Sequence, residues 1–283
     1  MKGTAVYRVE HGDGRPVLVL HGAGVDHREA EACFEPALGA REGYRRIYPD
    51  LPGTGRTPAP ESVRSADDVL SVLLDLAAEV APTERLLVVG HSAGAYYAQG
   101  MAARRPDRVA GLALVCPLLA GVRDVPGHHP VVAAEDLGDQ EFRDYFVVQT
   151  PAMLERYERF VAPGAALADQ AAMARIGERW ELAPAEGPPY EGPTLVVAGR
   201  LDSVVGHAAA EDLLDHYPRC TLAVLDGAGH ALPHEQPQLL AALLDDWMRR
   251  SETPAGQTGV LVTRSTRSED PGGTANGHAR GPS

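Results

Sequence analysis

Five short aliphatic runs, each closed by turn residues, constrain the fold of this chain more than any other feature. They are Val17 to Leu20, Leu86 to Val89, Val109 to Val115, Thr194 to Ala198 and Thr221 to Leu225. Unbroken apolar runs of this length belong to strands buried on both faces, whereas a half-exposed strand would alternate. A sixth, shorter strand is expected at Arg46-Ile47-Tyr48. Helical periodicity fills the gaps, at Asp26 to Leu38, from Ser65 through Val80, at Ala93 to Arg104, at Ala208 to His216 and at Gln236 to Arg250. Ser65 is the expected N-cap of the second of these, with Asp67 and Asp68 in its first turn. Strands alternating with helices predict an α/β fold with a mostly parallel sheet covered on both faces. Ala5 to Glu10 alternates instead and leads into the turn residues His11-Gly12-Asp13-Gly14, which predicts an antiparallel hairpin at the sheet's start.

The rhythm breaks twice. Residues 117–193 are rich in Pro and Gly and show helical stretches at Glu141 to Val148, Ala152 to Phe160 and Ala165 to Leu182. This predicts a mostly helical cap inserted between two strands of a core made of residues 1–116 and 194–250. Residues 251–283 are rich in Gly, Ser, Thr and Pro with one small apolar cluster, too little to offset the entropy of ordering, so a disordered tail is expected. The net charge of −13 repels phosphate backbones and anionic lipid, which argues against nucleic acid and membrane as partners. There is no stretch of ~20 apolar residues and no secretory leader, so a cytoplasmic location is expected. The composition, rich in Ala, Arg and Pro, points to a GC-rich bacterial genome. The three cysteines, Cys33, Cys116 and Cys220, are too scattered to suggest a disulfide framework or a zinc cage, and Cys116 reads as a small core hydrophobe.

Gly90-His91-Ser92-Ala93-Gly94 follows one buried strand directly and opens a helix. In that setting a G-x-S-x-G run forces its serine into a sharp turn with the hydroxyl exposed. A serine hydroxyl is a weak nucleophile until a base takes its proton. Of eleven histidines, His230 is the best placed, in the loop after the last strand and at the same carboxyl edge of the sheet as Ser92. His234 falls where the last helix begins, and His91, adjacent to the serine on a tight turn, should point elsewhere. The carboxylate that orients the base is expected from Asp202, shortly after Thr194 to Ala198, with Asp124 as the fallback. His21-Gly22-Ala23-Gly24 ends the first buried strand and can offer the N–H of Ala23 beside that of Ala93 to a developing oxyanion, with His21, Gly22 and Gly24 supporting the loop.

Together these stretches resemble the α/β-hydrolase superfamily, over roughly Ala5 to Arg250. Tyr48-Pro49-Asp50-Leu51-Pro52-Gly53-Thr54-Gly55-Arg56-Thr57 is similar to the D-x-P-G-x-G-x-S loop of capped members, with Thr57 in place of serine. The order Ser92, Asp202, His230 matches the order of that superfamily. The resemblance implies an eight-stranded, mostly parallel sheet with a lid over the site. A serine rather than an aspartate at 92 sets the chain apart from epoxide hydrolases and haloalkane dehalogenases. No metal cluster, GxGxxG or P-loop is visible, so no cofactor is implied. The expected activity is hydrolysis of an ester or related acyl bond of a small, partly apolar substrate through an acyl-enzyme. Carbon–carbon bond hydrolysis, lyase or perhydrolase chemistry on the same residues stands as the alternative, and a non-catalytic ligand sensor comes after that. Tyr96, Tyr97, Phe142, Phe146, Trp180 and Tyr190 are candidates for the pocket wall. The oligomeric state is not legible.

Overall fold

A computed structural model of the chain describes residues 4–121 and 124–252; residues 253–283 of the expected tail lie outside the described residues. Seven strands form one sheet: β1 (Arg8–His11), β2 (Arg15–Leu20), β3 (Tyr44–Pro49), β4 (Leu86–His91), β5 (Val109–Val115), β6 (Thr194–Gly199) and β7 (Cys220–Leu225). Their spatial order is β1-β3-β2-β4-β5-β6-β7. Every pairing is parallel except that of β1 with β3.

Two expectations are corrected here. The sheet has seven strands among the described residues, not eight. The chain just before β1 is spent on a loop instead, since Tyr7 N–H bonds Thr57 Oγ1 at 2.9 Å and Tyr7 C=O accepts from Asp50 N at 2.9 Å. The expected hairpin also does not form. β1 is half-buried and suits an edge, whereas Val17 to Leu20 of β2 are fully buried, so β3 enters between them and gives β2 a parallel neighbour on each side.

Helices α1 (His27–Leu38), α2 (Ala66–Val80) and α3 (Ala93–Arg104) follow β2, β3 and β4 in turn. Asp26 caps α1 through Arg28 N at 3.0 Å, and Ser65 caps α2 through Asp68 N at 3.2 Å. Between β5 and β6 come α4 (Gln140–Tyr145), α5 (Pro151–Arg156), a π-turn at Tyr157–Val161, α6 (Ala162–Ala165) and α7 (Gln170–Gly177). A 3₁₀ turn at Ala208–Glu211 runs into α8 (Asp212–His216), and α9 (Leu232–Glu235) and α10 (Pro237–Glu252) complete the described chain. Ser251 and Glu252, expected in the tail, are instead the last residues of α10: Ser251 is buried, and its hydroxyl bonds Trp247 C=O at 2.9 Å.

The period-two geometry of β2 divides the core. Leu18 and Leu20 pack with α2 and α3 on one face of the sheet. Val17 and Val19 pack with α1 and α10 on the other. A third, smaller cluster of Phe142, Phe146, Tyr157 and Val161 joins the inserted helices to Ala231, next to His230. Among the described residues, no helix is long and apolar enough to cross a membrane.

Candidate active site

Strand β4 ends at His91, and α3 begins at Ala93, so Ser92 alone makes the turn. Its backbone takes φ 54° and ψ −118°, a conformation that costs a non-glycine residue roughly 1–3 kcal/mol. The flanking glycines allow it. A Cβ on Gly90 would stand 2.3 Å from Gly94 O, and one on Gly94 would stand 2.3 Å from Leu20 O. Ser92 N–H reaches back to Val115 O at 2.9 Å, which ties the turn to β5.

Asp202 follows β6 and is fully buried. Its Oδ1 accepts the N–H groups of Val204 and Val205, both at 2.9 Å, and its Oδ2 lies 2.8 Å from His230 Nδ1. Burial pushes this carboxyl up, but the bonds from His230 and from the two backbone N–H groups outweigh it and hold the group below its ordinary range. Because a carboxylate only accepts, His230 Nδ1 carries the proton, and Nε2 is left bare. That Nε2 lies 2.9 Å from Ser92 Oγ, so the hydroxyl donates to it. The three residues chosen from sequence are thus in hydrogen-bond contact. His234 is not; it lies behind the site, against Glu29 and Cys33. Asp124 is exposed, and its backbone carbonyl lies close to Gly206.

Ala23 and Ala93 line the same cavity. Ala93 is the first residue of α3, so its N–H has no partner within the helix. His21 pins the facing loop. Its Nδ1–H donates to Gly22 O at 2.7 Å, and its Nε2 accepts from Leu51 N at 2.9 Å, which requires the neutral ring. Burial lowers the His21 pKa in the same sense. Gly22 packs so close to the elbow that a Cβ there would lie 3.5 Å from Ser92 Cβ. Asp50, the acid of the loop that resembles D-x-P-G, accepts His27 Nδ1–H at 2.7 Å and Arg56 N–H at 2.8 Å, which keeps that loop closed beside His21.

Two supporting residues escaped the sequence reading. Glu235 ties together two segments on either side of the site: it accepts Gly229 N–H at 2.7 Å from the His230 loop, and Val147 and Val148 N–H at 2.7 and 3.1 Å from the insertion. Burial leaves its carboxyl above the ordinary range despite these bonds. Glu29 is fully buried, with Oε1 3.6 Å from His91 Nδ1 and 3.5 Å from His234 Nε2. His91 in turn donates from Nε2 to the carbonyl of His230 at 3.0 Å. The signal for Glu29 was present in its spacing, since it shares a helical face with Ala30, Cys33 and Phe34, all buried.

Glu29, Cys33 and His234 also stand close enough together to have the outline of a metal-ligand set, with Cys33 Sγ 3.3 Å from His234 Nε2. Arg156 Nε–H donates to His234 Nδ1 at 3.1 Å, which puts the ring proton on Nε2 and turns that nitrogen from a ligand into a donor toward Glu29. Of the aromatic candidates, Tyr96, Tyr97 and Trp180 line the cavity beside Ala23 and Ala93. Phe142 and Phe146 lie in the third hydrophobic cluster, and Tyr190 packs against Tyr217 under the sheet, so these three do not form the wall expected of them.

The fold and the site define a class: an α/β-hydrolase fold with a serine at its strand-to-helix elbow. Residues 17–243 match the alpha/beta hydrolase family, and the chain belongs to that family. The biotin biosynthesis bifunctional protein BioHC of Cellvibrio japonicus is 32% identical over 82% of this chain, and the match spans only 47% of that longer protein. A pimeloyl-[acyl-carrier protein] methyl ester esterase of Chromobacterium violaceum is 31% identical over 80% of this chain and 91% of its own. A 2-hydroxymuconate semialdehyde hydrolase of Pseudomonas sp. strain CF600 is 28% identical over 87% and 91%. Among solved structures, an alpha/beta superfamily hydrolase from Oenococcus oeni PSU-1 superposes with a TM-score of 0.81 at 25% identity, covering 88% of this chain and 97% of that one.

Proposed function

We propose that the chain is a serine hydrolase that cleaves an ester or related acyl bond of a small, partly apolar molecule through an acyl-enzyme. The observation that carries this reading is the single imidazole of His230, 2.9 Å from Ser92 Oγ on one side and 2.8 Å from Asp202 on the other. In this mechanism Ser92 Oγ attacks the carbonyl carbon while His230 Nε2 takes its proton. Asp202 stabilises the imidazolium that results. The N–H groups of Ala23 and Ala93 receive the oxyanion, each contributing about 3 kcal/mol to the transition state. His230 then hands its proton to the leaving alcohol and, in the second half, draws one from water to release the acid. Residues 117–193 act as the lid that shapes the pocket.

The similarity to a methyl ester esterase supports an ester as substrate. The similarity to a 2-hydroxymuconate semialdehyde hydrolase supports the second reading, carbon–carbon hydrolysis on the same three residues. Turnover of p-nitrophenyl butyrate tests the nucleophile. Ser92→Ala should lower kcat by about 10⁴-fold or more. Activity within tenfold of the parent would assign the chemistry to another group.

A further inference from the structure

Two cavities share the loop that faces Ser92, and they differ in kind. Both include Gly22, Ala23 and Gly24, so they join at the loop facing the elbow. The first, of about 180 Å³, is walled by Tyr96, Tyr97, Met173, Ile176 and Trp180, and no charged side chain among the described residues lines it. The second, of about 220 Å³, contains Ser92 and His230 and is walled by Tyr145 and Tyr157, with Glu141, exposed to solvent, at its rim. Tyr157 donates its hydroxyl to Glu141 Oε2 at 3.3 Å. Burial and the neighbouring Asp139 and Glu141 push the Tyr157 phenol up to about 12, so it stays a neutral donor. Among the described residues, no Arg or Lys lines either cavity. The arginines nearest along the chain are bound elsewhere. Arg143 bonds the carbonyls of Leu137 and Gly138, Arg156 bonds His234 and Ala32 O, and Arg159 stacks over the Phe160 ring at 5.0 Å.

A carboxylate entering the second cavity would meet Glu141 with no cation to compensate it. An ammonium group would find the opposite: a carboxylate beside two electron-rich aromatic rings, the combination that recognises such cations. We propose that the substrate pairs an apolar, aromatic or branched portion, held in the first cavity, with an ammonium-bearing portion held in the second, and that Glu141 and Tyr157 determine this specificity. The proposal rests on the serine hydrolase reading and adds the charge of the substrate to it.

Matched esters test it. One set joins 4-phenylbutyrate to choline, to the neutral isostere 3,3-dimethylbutanol and to 3-hydroxypropionate. A reversed set places the same three charges on the acyl side. In the set that fits, kcat/KM for the cation should exceed that for the neutral ester by about tenfold and that for the anion by about a hundredfold, mainly through KM. Glu141→Gln should collapse the cation-to-neutral ratio to about threefold or less. A wild-type ratio near one in both sets, an anion hydrolysed best, or an unchanged ratio in Glu141→Gln overturns the proposal. If no ester is cleaved, the hydrolase reading fails, and the charge claim is then decided by binding. The cationic esters must raise Tm more than their anionic partners do, and equal or reversed shifts overturn it.

Discussion

Ser92 holds a strained backbone, and what surrounds it shows how the strain is tolerated. Gly90 and Gly94 remove the side chains that would strike backbone carbonyls, and His91, on the wall of the cavity that contains Ser92, holds the carbonyl of His230. That makes His91 a positioning residue: it fixes the loop that carries His230, the base proposed above, through that carbonyl. Its pKa is lowered to about 4 by burial, with Glu29 pulling the other way, and Glu29 is lowered to about 2 because its histidine neighbours outweigh its own burial. Both shifts give stability a definite pH dependence. Between the ordinary 6.5 and about 4, an unfolded chain takes up the His91 proton while the folded chain does not, so stability falls as pH drops. Glu29 adds to the loss between its ordinary 4.5 and about 2, because its folded form releases the proton more readily than its unfolded form. These two groups, together with the lowered His21, outweigh the raised His27 and Glu235, which act in the opposite sense, so Tm should decline from pH 6.5 to 4. His91→Gln, which keeps a donor for the carbonyl of His230, should flatten the upper part of that decline. A wild-type Tm constant across this range would contradict the account.

At the scale of elements, Glu235 joins the insertion to the His230 loop. Three backbone N–H groups from two distant segments end on its carboxylate. Glu235→Ala leaves them without that acceptor and should destabilise the fold by about 2–4 kcal/mol in urea titrations, while slowing ester turnover. A change under about 0.5 kcal/mol would show that the carboxylate is not holding these segments together. The same region marks where the sequence stopped being legible. Four of the five aliphatic strands could be read because each is buried on both faces and needs no partner-specific information; the fifth, β7, was expected to be buried in the same way but lies at the sheet's edge, only half-buried and with Val224 exposed. The insertion could not, because its helices are short pieces of four to eight residues whose ends are set by caps such as Asp139, Thr150 and Asp169. Its aromatic residues were equally ambiguous. Phe142 and Phe146 carry the same composition signal as Tyr96 and Trp180, and only tertiary packing sends the first pair into a cluster and the second to a cavity. β1 failed for a related reason. Alternation identifies a half-exposed strand, but the local turn signal after it could not reveal that β3, more than thirty residues on, would be its neighbour.

At the scale of the whole molecule, the site exists because three connections open at one edge of a parallel sheet. β4 delivers Ser92, the turn after β6 delivers Asp202, and the loop after β7 delivers His230, each at a carboxyl end. That convergence was legible from the order of motifs along the chain, since parallel strands oblige successive loops to share an edge. The charge of the pocket was not legible, because Glu141 comes from the insertion and meets the site only through folding. The central claim is that Ser92 is the nucleophile and His230 its base. Reaction with a fluorophosphonate at neutral pH, followed by mapping of the adduct by mass spectrometry, tests it most directly. The account predicts one adduct, on Ser92, formed rapidly by the wild-type chain and slowly or not at all by His230→Ala. An adduct on another residue, or none on Ser92 in a chain that still hydrolyses esters, would contradict it.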